Sequence, residues 1–155
     1  MKRTRDRGIP DILQFKRMLR DKGLRATPQR LAVHEAMRVL GHASADEVAA
    51  YLSAQGGTPV SPASVYNILA MLSDLQIYDR RSGRGGKMVF DVRVGRHLHL
   101  YDTCNQTWQD LDDEELLAWM EAHFKGRRFR GYKIDGFEVQ LLCHPTRRKV
   151  PEKKA

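Results

Sequence analysis

The first half of the chain carries apolar residues at the three- and four-residue spacing of amphipathic helices, in four successive segments. Gly23 closes the first segment as a C-cap, and a capping box begins the third at Ser44. The second and fourth begin with a hydroxyl residue followed by proline, at Thr27-Pro28 and Ser61-Pro62. We therefore predict four helices before Gln76. Their inward-facing residues are expected to be Ile12, Leu13, Phe15, Met18, Leu19, Leu31, Val33, Met37, Leu40, Val48, Tyr51, Leu52, Val65, Ile68, Leu69 and Leu72.

Two extended runs follow, at 76–81 and 87–92, around a glycine-rich loop at 82–86. The loop lacks the GxxxxGK(S/T) spacing of a phosphate-binding turn and no helix follows it, so a β-hairpin is the better interpretation. Helices followed by a basic hairpin are typical of a winged helix-turn-helix. In that fold the fourth helix would enter the major groove of DNA, and arginines of the hairpin would touch the backbone. These arginines are Arg80, Arg81 and Arg84.

After Val92 the pattern changes to short strands around one helix. An acidic run at 112–115 would cap this helix, which would end near Phe124. A module of about 50 residues could scarcely bury a core alone, so we expect dimerisation through it. The strands are predicted at 97–102, 107–111, 132–134 and 137–143.

The pattern as a whole predicts an α+β fold, with an N-terminal winged helix-turn-helix domain followed by a small α/β dimerisation domain. We place the DNA-binding domain at residues 1–91 and the second domain, which also carries candidate metal ligands, at 92–143. The basic tail at 144–155 is expected to be mobile.

The charge of the chain favours a polyanionic partner. Lys and Arg number 27 against 19 acidic residues, which gives a net charge of +8 and a pI near 9.8. Charge alone leaves nucleic acid and the surface of a basic enzyme as equal alternatives. No apolar run has the length of a membrane span and no apolar h-region follows the basic N-terminus, so we expect a cytoplasmic protein. Cys104 and Cys143 are then expected to be reduced and inert.

His97-Leu98-His99 is the strongest local signal for a metal, because residues two apart on a strand point to one face. Asp91 and Asp110 lie at the ends of predicted strands and could join them, although both could equally be surface acids beside turns. Nitrogen and oxygen donors without thiolate suit Fe²⁺, Mn²⁺ or Zn²⁺. His34 and His123 lie on predicted helices without evident partners, and we assign them packing or surface roles.

Four ordered blocks make the chain similar to the ferric uptake regulator family over about residues 12–143. The blocks are Gly23–Arg30, His42–Val48, Ser64–Leu69 and Gly85–Asp91. The resemblance implies a winged-helix DNA-binding domain hinged to an α/β dimerisation domain. It also implies a transcriptional regulator and not an enzyme.

Within that family the chain most resembles the peroxide-sensing repressors, whose regulatory site pairs a histidine before the third helix with an Asp, an HxH and a later Asp. The matching positions are His42, Asp91, His97, His99 and Asp110. The recognition-helix pair Tyr66-Asn67 also looks like that of peroxide sensors, whereas iron regulators more often have Tyr-Arg. The resemblance implies Fe²⁺ or Mn²⁺ at this site, with Zn²⁺ able to bind in vitro.

The implied mechanism joins the two domains through the ion. His42 comes from the DNA-binding domain and the HxH from the other, so metal binding would stabilise the DNA-competent arrangement. With Fe²⁺ bound, H₂O₂ would oxidise His42 or His97 and operator DNA would be released. The expected partners are therefore double-stranded operator DNA, a second copy of the chain and peroxide, with no membrane and no other small-molecule substrate.

The chain departs from the family at the structural zinc that most members hold with two CxxC pairs. Without gaps, the four positions fall on Asp102, Asn105, Cys143 and Thr146, and a one-residue gap would bring in Cys104. One or two thiolates are too few for a closed Cys₄ site, so we predict no structural zinc. The dimer would then rest on apolar packing from residues such as Phe137, Val139 and Leu141.

Two further expectations follow from the resemblance. A second metal site of some members looks absent, because Arg96 and Leu98 stand where ligands would be needed. Ser64, Tyr66 and Asn67 are the candidates for DNA contact, since Asn can read adenine, although Tyr66 could instead only pack the helix.

Two other functions compete with peroxide sensing. An iron- or manganese-responsive regulator would use the same ligands and ignore peroxide. A small metalloenzyme using His97, His99 and an aspartate is the remote alternative, because no nucleophile or further base stands beside the site. The four-helix-plus-hairpin block also has no place in an enzyme of that kind.

Overall fold

A computed structural model of the chain describes residues 8–93 and 95–146, except the side chain of Arg84. The chain divides into two compact units, one ending at Gly95 and the other beginning at Arg96. Four helices precede the strands of the winged hairpin, and a second set of strands surrounds a fifth helix. This order confirms the predicted α+β class.

Three of the four helices of the first unit begin at the predicted capping residues. Thr27, Ser44 and Ser61 each accept a hydrogen bond from the backbone N–H three residues later, as side-chain N-caps do. A further capping box, which the sequence pattern had not indicated, joins Asp11 and Gln14 at the start of the first helix. The helices are α1 (Ile12–Asp21), α2 (Pro28–Leu40), α3 (Ala45–Gln55) and α4 (Pro62–Asp74).

The core of the first unit lies where these helices meet. Its buried residues include Phe15, Leu19, Val33, Met37, Val48, Val65, Leu69 and Leu72, all 0% exposed. Leu13, which we predicted to face inward, is 61% exposed. The prediction was wrong because Phe15 and Leu19, four residues apart, define the buried face of α1, and a residue two positions before Phe15 points away from it.

A three-stranded antiparallel sheet completes the first unit, with the order β1-β3-β2. Its strands are β1 (His42–Ala43), β2 (Asp79–Ser82) and β3 (Met88–Asp91), and the β2–β3 pair is the predicted hairpin. Strand β2 begins three residues later than predicted, because Gln76 takes a left-handed φ of 58° in the turn after α4. Ile77 and Tyr78 then enter the core. Strand β1 was not predicted.

The second unit is built on a three-stranded sheet of order β5-β4-β8, in which β4 pairs antiparallel with β5 and parallel with β8. Its elements are β4 (Leu98–Asp102), β5 (Thr107–Leu111), α5 (Glu114–Phe124), β6 (Arg128–Phe129), β7 (Tyr132–Lys133) and β8 (Gln140–Cys143). Strand β7 lies within the predicted 132–134, whereas β6 was not predicted, and β8 starts three residues later than the predicted 137–143. Within residues 8–93 and 95–146, every helix is too short or too polar to span a bilayer.

Candidate metal centre

His42 and Asp91 form a buried pair within the first unit. Strands β1 and β3 place the two residues directly opposite each other, so their side chains leave the sheet on the same side. His42 Nε2 lies 3.1 Å from Asp91 Oδ2, and the two side chains are only 7% and 1% exposed. Asp91 is therefore not the surface acid beside a turn that was the alternative interpretation.

Two further groups contact the Asp91 carboxylate. Its Oδ1 accepts a hydrogen bond from the backbone N–H of Arg93 at 2.9 Å. Arg81 Nη2 lies 3.4 Å from Oδ2, and the Arg81 side chain is 12% exposed. We had predicted a DNA-backbone contact for Arg81, but here its guanidinium faces a buried carboxylate. The sequence did not reveal this pairing, because it depends on the register of the β2–β3 hairpin.

His97, His99 and Asp110 form a second cluster, within the second unit. His99 and Asp110 are register partners on β4 and β5, and His97 precedes β4 on the same side as His99. Asp110 Oδ1 lies 3.3 Å from His97 Nε2 and 3.8 Å from His99 Nε2. The two imidazole centroids are 4.4 Å apart. The atoms that these residues would offer a metal lie within 4.8 Å of one another.

The surroundings of this cluster suit a metal bound by nitrogen and oxygen. Both histidine side chains are 3% exposed and Asp110 is 26% exposed, so little water competes for the donor atoms. The edge of Trp108 packs 6.1 Å from the His99 ring, and Tyr101 lies 4.9 Å beyond Trp108. Imidazole and carboxylate donors held this close fit Fe²⁺, Mn²⁺ or Zn²⁺.

The candidate DNA-contacting residues on α4 lie on its outer side. Tyr66 and Asn67 are exposed and Ser64 is half-buried, whereas Val65 and Leu69 face the core. Tyr66 keeps 47% of its surface exposed while its ring meets the edge of Phe90 at 6.2 Å, so it both packs and remains accessible. The other candidate, Arg84, lies in the hairpin loop, and its side chain is outside the part of the chain that the structure describes.

The first pair of positions that would correspond to zinc cysteines, Asp102 and Asn105, lies in a hydrogen-bonded turn. Asp102 accepts hydrogen bonds from the Asn105 side chain at 2.7 Å and from the backbone N–H groups of Cys104 and Asn105. These bonds, above all that from the Asn105 amide, lower the pKa of Asp102. Cys104 is exposed and Cys143 half-buried, and both are free thiols. The absence of a structural zinc stays a prediction.

Residues named for other predictions have well-defined surroundings. Arg96 Nη1 lies 3.4 Å from Glu121, its guanidinium lies over the Phe137 ring, and Leu98 is buried. The last nine residues of the predicted mobile tail, 147–155, lie outside the described residues.

The two helical histidines, which were assigned packing or surface roles, both stack on aromatic side chains. His123 stacks on Trp119 with centroids 5.2 Å apart. His34 is fully buried: its ring stacks 3.8 Å from Phe15, Nδ1 meets the Tyr78 hydroxyl at 2.7 Å, and Nε2 meets the Pro10 carbonyl at 2.9 Å. Because a carbonyl can only accept, Nε2 carries the proton and Nδ1 accepts from Tyr78. Burial also raises the pKa of Tyr78 far above its usual value.

The fold and the two groups of metal donors indicate a metal-binding, DNA-binding regulator. Comparison with known proteins agrees with this class. The model of the ferric uptake regulator family matches residues 21–141. The peroxide-responsive repressor PerR of Staphylococcus epidermidis is 32% identical over 109 residues, which cover 64% of this chain and 70% of that protein.

Solved structures of similar fold include two bacterial regulators. The ferric uptake regulator of Vibrio cholerae superposes with a TM-score of 0.66 at 24% identity, over 84% of this chain and 99% of that one. The peroxide stress regulator of Campylobacter jejuni superposes with a TM-score of 0.61 at 23% identity, over 90% and 99%.

The chain belongs to the ferric uptake regulator family. Members of this family are metal-responsive transcription regulators that bind operator DNA, and they are not enzymes. The remote metalloenzyme alternative is therefore excluded.

Proposed function

We propose that this protein is a metal-dependent repressor that senses hydrogen peroxide. The His42–Asp91 pair and the His97–His99–Asp110 cluster would bind one divalent ion together, Fe²⁺ or Mn²⁺. The observation that carries the proposal is that each group of donors is already gathered and buried within its own unit. Asp91 and His97 are six positions apart along the chain, so a short connection joins the two groups.

The residues of the site have separate tasks in this proposal. Asp91 and Asp110 supply negative charge, which favours a hard divalent ion over one that prefers thiolate. The three imidazoles bind as neutral donors, and the loss of any one weakens the hold on the ion. Fe²⁺, when bound, would supply the redox chemistry by which H₂O₂ oxidises a ligand imidazole. The imidazole of His42 or His97 would gain one peroxide oxygen and lose two electrons, and the other oxygen would leave as water.

DNA binding and dimerisation complete the proposal. The exposed side of α4, with Tyr66 and Asn67, would enter the major groove, and the positive hairpin would contact the backbone. The second unit would dimerise: β8 is an edge strand of its sheet, and Leu141 and Leu142 on it are 41% and 57% exposed. Such a regulator would act in the cytoplasm.

A metal-supply sensor remains the second candidate. The same donors would hold the ion, and the structures of similar fold include a ferric uptake regulator and a peroxide stress regulator alike. The two candidates differ in one chemical property, which is whether a ligand imidazole is oxidised when the protein meets peroxide.

The deciding experiment compares Fe²⁺ and Mn²⁺ under peroxide. The protein is loaded anaerobically with either ion, bound to a duplex selected from a random pool by the Mn²⁺-loaded protein, and treated with H₂O₂. We expect release of DNA from the Fe²⁺ form alone, with +16 Da (one added oxygen) on the peptide carrying His42 or His97. The peptide carrying His34, a buried histidine whose two ring nitrogens are hydrogen-bonded to Tyr78 and Pro10, is the internal control and should keep its mass.

Retained DNA binding and unchanged mass in both metal forms would establish a metal-supply regulator and refute peroxide sensing. Mn²⁺ binding that His97→Ala and Asp91→Asn leave unchanged would refute the proposed metal centre altogether.

A further inference from the structure

The two oxygens of the buried Asp91 carboxylate have different partners. Oδ1 accepts the backbone N–H of Arg93, and this bond, with the pairing of β3, fixes the orientation of the carboxylate. Oδ2 faces His42 Nε2 at 3.1 Å and Arg81 Nη2 at 3.4 Å. The guanidinium of Arg81 therefore lies beside the same carboxylate oxygen as His42, the proposed imidazole ligand.

Arg81 reaches this position through the hairpin. It pairs with Val89, two residues before Asp91, so both side chains lie on one face of the β2–β3 ribbon. Its guanidinium keeps its charge at every physiological pH. A carboxylate that is 1% exposed is strongly disfavoured without a nearby cation, and Arg81 supplies one.

We propose that Arg81 is the internal counter-cation of Asp91 and sets the metal affinity of the site by competing with the ion for Oδ2. The inference rests on the proposed function, in which Asp91 is a metal ligand. A divalent ion bonded to Oδ2 would meet a positive guanidinium at close range, and the two cations repel. The guanidinium must therefore withdraw as the ion binds, which raises the metal concentration at which the site fills.

A purely positioning role for Arg81 predicts the opposite change in metal affinity. If Arg81 only held Asp91 in place, its removal would loosen a ligand and weaken metal binding. Competition predicts instead that its removal strengthens metal binding while it destabilises the metal-free protein, because the buried Asp91 carboxylate then loses a cation that stabilises its charge.

Arg80 offers a matched control. It neighbours Arg81 on β2, so its side chain leaves the opposite face of the strand. Its guanidinium pairs with Asp74 at 3.1 Å, with both side chains about half exposed. Arg80→Met therefore removes the same charge from the same strand without touching Asp91.

The test is a Mn²⁺ titration of the full chain, wild type and variants, by calorimetry and by thermal unfolding with and without Mn²⁺. We expect Arg81→Met to bind Mn²⁺ at least about tenfold more tightly than Arg80→Met. Metal-free Arg81→Met should unfold at a lower temperature than metal-free Arg80→Met. Its unfolding temperature should also rise more when Mn²⁺ is added. Arg81→Gln, which can still donate a hydrogen bond to Asp91, serves if the Met variant does not fold, and the same direction is expected.

Equal or weaker Mn²⁺ binding by the Arg81 variants, relative to Arg80→Met, would overturn the inference. Asp91→Asn separates this failure from a failure of the proposed function. If that variant binds Mn²⁺ as well as the wild type, Asp91 is not a ligand and the metal centre itself is refuted.

Discussion

The buried imidazole of His34 should make the stability of the first unit depend on pH. Burial lowers the pKa of His34 from 6.5 to about 4, a shift that the hydrogen bond with Pro10 only partly offsets. The neutral ring fits its site: Nε2–H donates to a carbonyl, and Nδ1 accepts from Tyr78. A second proton would have to go on Nδ1, where the hydroxyl now donates.

The direction of the effect follows from which state binds more protons. Between pH 6.5 and about 4, the unfolded chain carries a protonated His34 and the folded chain does not. The stability from the neutral ring is therefore complete above pH 6.5 and is lost as pH falls toward 4. For these two pKa values the loss amounts to about 2 kcal/mol between about pH 7.5 and about pH 5.

The measurement is urea unfolding of metal-free protein across this pH range, for the wild type and His34→Gln. Both tryptophans, Trp108 and Trp119, belong to the second unit, so tryptophan fluorescence would report on the wrong part of the molecule. Far-UV circular dichroism reports mainly on helices α1 to α4 instead, because these are four of the five α-helices in the described residues. We expect the wild type to lose about 2 kcal/mol more than the variant on acidification.

His123→Gln is the control, because it removes a histidine that stacks on Trp119 in the second unit. Comparison with this variant shows whether the pH dependence changes on loss of His34 in particular or of any histidine. Since the other histidines are unchanged in these variants, their titration cancels in the comparison. If the free energy of unfolding depends on pH in the same way for the wild type and His34→Gln, the reasoning is refuted. A constant difference in stability between the two proteins would not change that conclusion.

Two further predictions concern the framework of the first unit. Ser44→Ala should lower the free energy of unfolding by about 1 kcal/mol, because Ser44 Oγ accepts the Glu47 N–H at the start of α3. Leu69→Ala should lower it by about 2–5 kcal/mol, because this side chain is 0% exposed and its loss leaves a cavity. Urea unfolding followed by circular dichroism measures both.

Each of these has a control at an exposed position of the same unit. Ser53→Ala, on the exposed side of α3, and Leu13→Ala, 61% exposed on α1, should each change stability by less than about 0.5 kcal/mol. A Ser44 variant as stable as the wild type would mean that the capping box contributes nothing. If Leu69→Ala lowers the free energy of unfolding no more than Leu13→Ala does, the assignment of Leu69 to the core is wrong.

Much of the fold could be predicted because its signals are local. The caps at Thr27, Ser44 and Ser61 act on N–H groups three residues away, so the sequence window that contains them contains their effect. The same holds for His97 and His99, whose imidazoles share a side because residues two apart in an extended chain point the same way. These parts needed no knowledge of the tertiary structure.

The tertiary structure alone decided which distant residues meet. His42 lies 49 positions from Asp91, and β1 is two residues long, too short to show any periodicity. His34 lies 44 positions from Tyr78, and its helix gave no sign of a hydroxyl partner. Arg81 was predicted to contact DNA from its place in the basic hairpin, and only the hairpin register revealed that its guanidinium lies beside Asp91. Such pairings depend on how strands and helices pack, because burial favours only the register that gives each enclosed polar group a partner.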